Sequence, residues 1–293
     1  MKKWAGTTYG NNWMHKWLIR MLKYSDVRIF YVFIAVFVIP ICLIINPSRG
    51  IIYHYMRERM NFGRFRSMWY TYLNHCYFGQ VVIDKFAMYA GKKFQIKMKG
   101  YELYQKLAEK PNAFIQLSSH IGNYEIAGYS LKADQKAFNA LVYFGEKESV
   151  MKNRDHIFKD ANIHMIPVSP DMSHLFDINA ALSRGEVVSM PADRIWGSPK
   201  KISKSFLGAN TSFPYGPFSI ATMRSLDVIA VNVMKTATRQ YTIYITPLSY
   251  DKEANRKIQI DQLSDAYLQE LEKMLRQYPM QWYNYFDFWN NND

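Results

Sequence analysis

From about residue 94 the chain alternates short strand-like runs with helical stretches, and this alternation restricts its fold more than any other feature. FQIKMKG precedes YELYQKLAEK, AFIQLSS precedes a helix that begins near Asn123, and NALVYF leads into a further helical stretch. HMIPVS, DINAALSRG, EVVSMPAD, DVIAVNVMK and QYTIYITPL continue the series. Strands alternating with helices build a mostly parallel sheet covered by helices, an α/β fold. DQLSDAYLQELEKMLRQYP is expected to form a final amphipathic helix, with Leu263, Tyr267, Leu271 and Met274 on one face and Pro279 closing it. The α/β domain is assigned to residues 51–293, with a helical, aromatic- and arginine-rich lead-in at 51–93. The chain's 293 residues suffice for one such domain and an N-terminal extension.

The extension, residues 1–50, carries two membrane-type signals. In WMHKWLIRMLK, Trp13, Trp17 and Met21 recur at four-residue intervals, as do Met14, Leu18 and Leu22, while Lys16, Arg20 and Lys23 fall on another side. That is the pattern of an interfacial basic helix. Ile29 to Ile45 then forms an uncharged apolar run of 17 residues, short of the roughly 20 of a spanning helix and interrupted by Pro40. Its late start and the end IINPSRG do not fit a cleavable signal peptide. Lys16, Arg20, Lys23 and Arg28 precede the run, and Arg49, Arg57, Arg59, Arg64 and Arg66 follow it. A single span would carry one basic cluster across the bilayer, so the run is expected to lie in or dip into the cytoplasmic leaflet.

Composition agrees with an amphiphilic surface. Aromatic residues make up 16% of the chain and the formal net charge is +13. Tyr and Trp suit apolar–aqueous boundaries, and a strongly basic balance favours anionic partners. Cys42 and Cys76 lie far apart without metal-ligand spacing, which points to a reducing compartment and no disulfide framework. His15, His54, His75, His156, His164 and His174 form no metal-site spacing.

The candidate chemistry lies in LSSHIGNYEIAGY. Ser118, Ser119 and His120 directly follow the apolar run AFIQL, the strand end at which open α/β sheets bind ligands. His120 and Glu125 would be about 140° apart on a continuous helix, so they can meet only with His120 in a loop and Glu125 in the first helical turn. Gly122 eases the bend, and Asn123 is a plausible N-cap. Such a pair suits general-base work: His120 takes a proton from an acceptor hydroxyl or amine while Glu125 holds the ring's tautomer. The spacing alone is also common among unrelated residues.

At this point the sequence resembles the lysophospholipid acyltransferase superfamily, whose first block is His-x4-Asp/Glu. SHIGNYE is similar to the version in bacterial lipid A late acyltransferases. PADRIWG at 191–197, SFLGANTSFPYGPFSIA at 205–221 and YPMQWYNYFDFW at 278–289 resemble most closely the acyltransferases of aryl polyene pigment clusters, and WAGTTYG near the N-terminus fits the same pattern. The resemblance implies a glycerol-3-phosphate acyltransferase-like fold and a catalytic pair of His120 and Glu125. It implies substrate-binding roles for Ser119 and Asn123, and places Asp193 and Arg194 in the acceptor or thioester site. Phe206 to Gly208 and Pro214 to Pro217 match its phenylalanine–glycine and proline–glycine blocks. Backbone amides near Gly208 and Gly216 could stabilise an oxyanion, or the glycines could be plain turn residues. Arg154 in KNRDH could bind phosphate, or be a solvated surface residue. The terminal aromatic block is read as packing or membrane contact.

The resulting expectation is an acyltransferase at the cytoplasmic face of a bacterial inner membrane. Its donor would be an acyl carrier protein or CoA thioester, its acceptor a lipid or lipid-like hydroxyl or amine, with no metal or bound cofactor. A lipid A late acyltransferase is the narrower alternative; aryl polyene precursors, lipid A precursors, lysophospholipids and amino-acid lipids all offer a nucleophile to such a base, and nothing in the residues separates them. A serine-type lipid hydrolase is disfavoured by the lack of a Gly-x-Ser-x-Gly elbow, and a nucleic-acid-binding module by the long apolar run and the absence of a nucleic-acid motif.

Overall fold

A computed structural model describes residues 12–131, 136–143, 162–169, 171–195 and 200–289. Arg154 and the segment WAGTTYG lie outside the described residues, as does the end of PADRIWG.

Among the described residues, seven strands form one sheet. In chain order they are β1 (Gln95–Lys99), β2 (Phe114–Ser118), β3 (Phe138–Tyr143), β4 (Ile163–Val168), β5 (Val187–Pro191), and then β8 (Asp227–Ala237) and β9 (Gln240–Leu248). Across the sheet the order is β1-β9-β8-β2-β5-β3-β4. Every neighbouring pair is parallel except β8–β9, an antiparallel hairpin. The mostly parallel, helix-covered sheet expected from the sequence is therefore present. β6 (Lys201–Phe206) and β7 (Ala209–Pro214) form a separate two-stranded hairpin.

β2 is buried on both faces, as a parallel strand covered by helices must be. On one face Ile115 and Leu117 pack with Val188, Met190 and Ala230 under the terminal helix Arg256–Gln277, whose Leu263, Tyr267, Leu271 and Met274 are all buried as their spacing predicts. Asn255 caps that helix, its side chain accepting from the Ile258 amide. On the other face Phe114, Val187 and Ile229 pack beneath Tyr101–Glu109 and beneath Glu125–Ser130, which contributes Ile126 and Ala127.

The N-terminal helices α1 (Asn12–Tyr24), α2 (Val27–Phe33), α3 (Ile39–Ile45) and α4 (Ser48–His54) rest on α5 (Arg64–Tyr89), where Leu22, Val27 and Tyr31 pack with Ile83, Phe86 and Ala87. Val27–Ile45 is continuously helical, 19 residues long and apolar enough to cross a membrane by length and composition. Pro40 does not interrupt it. A π-helical turn at Ile34–Val38 precedes it, and Pro40 then stands in the first turn of the next helical segment, where its missing N–H costs least. Contacts run along the length of α5: Tyr31 hydroxyl to Asp84, Ile34 against Gly79, and Tyr72 hydroxyl to the Ala35 carbonyl. The opposite side of this helix exposes Ile29, Val32, Phe33, Val36, Phe37, Ile41 and Ile44.

Candidate active site

His120 follows β2 by two residues and Asp193 follows β5 by two residues. Because Ser118 and Pro191 are register partners, the two functional side chains emerge side by side. The Asp193 carboxylate accepts from His120 twice: Oδ1 lies 2.8 Å from the ring Nδ1, and Oδ2 lies 2.8 Å from the backbone nitrogen. A carboxylate only accepts, so Nδ1 carries the proton and Nε2 of the neutral ring is the basic nitrogen. The His120 side chain is 27% exposed and Asp193 only 1%, so a buried carboxylate anchors an accessible imidazole. Burial pushes the Asp193 carboxyl up, but the positive charge of the His120 ring in its protonated state and its hydrogen bonds, together with Arg194, hold the carboxyl below the usual aspartate range.

Glu125 takes a different partner. It opens the helix Glu125–Ser130 as expected, but its Oε1 pairs at 2.7 Å with Lys85 of α5. The carboxylate on the His120 ring is Asp193, not Glu125, which corrects the sequence-based pairing. The cause is the path of the intervening loop. Gly122 N donates to the Gln281 carbonyl and Asn123 N to the Val233 carbonyl, so Ile121–Asn123 is pinned between β8 and the C-terminal segment. Gly122 has φ of +58°, and a Cβ there would lie 1.9 Å from the Val233 carbonyl oxygen. The bend anticipated at Gly122 exists, and it carries the chain along β8.

Asn123 does not cap the helix with its side chain. It is buried, and its amide points to the Tyr241 hydroxyl at 3.4 Å. That hydroxyl reaches Asp84, which also accepts from Tyr31 and from Lys235. Burial pushes the Asp84 carboxyl up and the Lys235 ammonium down. Ser119 is buried as well, its hydroxyl 3.1 Å from Asn232 Oδ1 on β8. Neither Ser119 nor Asn123 presents its side chain to solvent as a substrate-binding residue would; both tie the loop to the strands beside it. Arg194 donates to the Tyr283 carbonyl at 3.0 Å and lies over the Phe286 ring. Tyr124, at the loop's open side, meets the His120 ring edge to face.

Phe206 is fully buried against Phe213, Trp282 and Phe288. Leu207 and Gly208, both at positive φ, make the two-residue turn between Phe206 and Ala209, a hairpin geometry that favours glycine. Gly208 thus occupies a turn that its positive φ suits. Pro214 ends β7, and Gly216 opens the helix Gly216–Met223.

No pattern in the sequence singles out Lys85, Asn74 or Gln281. Their only sequence signal is polarity within the helical lead-in and the terminal aromatic block. Among the described residues no group of three or more His, Cys, Asp or Glu side chains could hold a metal ion.

A carboxylate-oriented imidazole at the carboxyl end of a strand in a covered α/β sheet is a site suited to proton abstraction. The chain carrying it belongs to an acyltransferase family: the sequence model of the bacterial lipid A biosynthesis acyltransferases matches residues 81–289. No curated protein matches the chain in sequence. Among solved structures it is similar to the crystal structure of the 1-acyl-sn-glycerophosphate (LPA) acyltransferase PlsC from Thermotoga maritima. That likeness has 14% identity over 92% of this chain and 100% of the other, with a TM-score of 0.38.

Proposed function

We propose that this acyltransferase moves a fatty acyl group from an acyl carrier protein or CoA thioester to a lipid hydroxyl or amine, with His120 as general base and Asp193 as its orienting carboxylate. The observation that carries this reading is the double hydrogen bond from His120 to the buried Asp193, which leaves Nε2 as the basic nitrogen of an accessible ring. Nε2 takes the acceptor's proton as its oxygen or nitrogen bonds to the thioester carbonyl carbon. The tetrahedral intermediate then collapses, the carbon–sulfur bond breaks, and the departing thiolate takes the proton back from the imidazolium. Asp193 keeps Nδ1 protonated throughout and stabilises the transient positive charge. Glu125 is retained as the second carboxylate of the site, held by Lys85 at the start of its helix. The mechanism needs neither a protein nucleophile nor a metal or bound cofactor, and the Ser119 hydroxyl, turned to Asn232, is not presented as a nucleophile.

Lipid A precursors and aryl polyene precursors are the proposed acceptor classes, supported by the family match and by the motif resemblance respectively. The net charge of +13 supports an acidic thioester carrier as donor. For location, we propose a monotopic placement at the cytoplasmic leaflet: Val27–Ile45 lies along α5 with its outer side apolar, and basic residues flank it on both sides.

The test is incubation of purified protein with an acyl-carrier-protein thioester and a total lipid extract, followed by a mass search for an acylated lipid. His120→Ala should lower the rate by about 10²–10⁴ with folding retained. Near-normal turnover in that variant would overturn the assignment.

A further inference from the structure

The C-terminal segment 280–283 runs directly behind the loop that bears His120. Gly122 N donates to the Gln281 carbonyl at 2.8 Å, Ile121 and Trp282 form an antiparallel bridge, and Tyr283 N donates to the His120 carbonyl at 3.4 Å. The Tyr283 carbonyl in turn accepts from Arg194, the neighbour of Asp193. One short stretch therefore touches the backbone of His120 and the residue following its carboxylate partner.

Two buried amides hold that stretch in place. Gln281 uses both ends of its side chain on one residue of β8: Nε2 donates to the Lys235 carbonyl at 2.8 Å, and Oε1 accepts from Lys235 N at 2.9 Å. On the other side, Asn74 of α5 donates to the carbonyls of Met280 at 3.0 Å and Trp282 at 2.8 Å. Gln281 and Asn74 are almost fully buried. The exchange at Gln281 needs one donor and one acceptor at fixed spacing, a pattern that an amide supplies without having to take up a proton. Without it, two backbone groups of β8 lose their partners in the interior.

We propose that Gln281, seconded by Asn74, is a positioning residue for the His120–Asp193 pair. It touches no reacting atom; it sets the height of the His120 loop over β8, so that the ring Nδ1 and the backbone N–H of His120 reach the two oxygens of one carboxylate together. The proposal rests on the general-base reading above. Displacing such a pair by about 1 Å is enough to cost roughly 10² in rate.

The experiment compares wild type, Gln281→Leu, Gln281→Glu and Leu263→Ala, the last a truncation in the core under the terminal helix. Two measurements are made below each variant's melting temperature: steady-state kinetics, giving kcat and KM for the thioester, and the downfield imidazole N–H resonance of the His120–Asp193 hydrogen bond, assigned by its absence in Asp193→Asn. Gln281→Leu should lower kcat about 10²-fold with KM within about twofold, and should broaden or abolish the resonance. Gln281→Glu, which keeps the acceptor for Lys235 N, should recover part of both, and it carries the comparison if Gln281→Leu does not fold. Leu263→Ala should lose stability but keep kcat and the resonance. Unchanged kcat and resonance in both Gln281 variants overturns the proposal, as does equal loss in Leu263→Ala. If wild type shows the resonance but transfers no acyl group, the function reading fails while the resonance still decides the role of Gln281.

Discussion

Asp193 binds His120 at two atoms 73 positions away in sequence, taking the ring Nδ1 and the backbone N–H on separate oxygens. The pair is a product of sheet order. With β5 beside β2 and Ser118 opposite Pro191, the residues two steps past each strand end become neighbours. A ring held only through its side chain could swing about its first torsion; here the same carboxylate also fixes the residue's backbone.

Asp193→Asn should therefore be more damaging than its small change in shape suggests. The amide can donate to the ring, which permits the tautomer with the proton on Nε2 and removes the base. The expected fall in kcat is about 10⁴, the scale of the equivalent change in a serine-protease triad, with little change in KM for the thioester. Steady-state kinetics of Asp193→Asn and Glu125→Gln, run side by side with the His120 N–H resonance, separate the two carboxylates. Only Asp193→Asn should remove the resonance.

Much of this arrangement could be read from the sequence, and the rest could not for a definable reason. The strand end before His120 and the buried face of Leu263, Tyr267, Leu271 and Met274 follow from local periodicity, and both are as expected. The partner of His120 does not, because no local pattern encodes that β5 lies beside β2. A five-residue spacing is visible in the chain and drew the pairing to Glu125, whereas Lys85 and Asp193 reach the loop from distant elements. The hairpin β6–β7 is likewise hidden in the block resemblance, which picks out Phe206 to Gly208 and Pro214 to Pro217 but not the alternating burial of KISKSF that precedes the Leu207–Gly208 turn.

Acid should expose the same pair in stability. Asp193 is held below its ordinary range in the folded protein. The stabilisation this represents is complete above the unfolded value of about 3.9 and is lost as pH falls through the lower folded value. Asp193→Asn cannot lose it. The gap in melting temperature between wild type and Asp193→Asn should narrow as pH drops below about 4. A constant gap down to the acid unfolding limit would contradict the depressed carboxyl.

Gly122→Ala tests the loop path. A methyl group there would meet the Val233 carbonyl oxygen at 1.9 Å, and the backbone is in the left-handed region. Either β8 or the loop must shift, at a cost of about 1–3 kcal/mol for the strained backbone alone. Reduced melting temperature and reduced kcat are both expected, since the shift moves His120. Wild-type kcat in Gly122→Ala would show that His120 does not depend on this path.

Beneath the loop, Lys235 and Asp84 form a buried ion pair that Tyr31 and Tyr241 complete. Removing one partner, as in Lys235→Met, leaves an uncompensated carboxyl and should cost about 3–5 kcal/mol in denaturant unfolding. The double variant Asp84→Leu/Lys235→Met removes both charges and should be less destabilised than the sum of the two single changes. Simple additivity would mean that the two side chains act independently.

The last prediction concerns the membrane face. Deleting residues 1–46 would confuse attachment with folding, because it strips Tyr31 from Asp84 and uncovers Ile83, Phe86 and Ala87. Ile29, Phe33 and Phe37 are instead more than half exposed on the outer side of the helix, so Ile29→Ser/Phe33→Ser/Phe37→Ser removes apolar contact with lipid while sparing the face on α5. This triple variant should keep its melting temperature but sediment weakly with phosphatidylethanolamine vesicles containing phosphatidylglycerol. Wild type should bind those vesicles more strongly than neutral ones, and the difference should shrink as salt rises, because Lys16, Arg20, Lys23 and Arg28 are exposed beside the apolar side. Undiminished sedimentation of the triple variant would move the attachment site away from this helix.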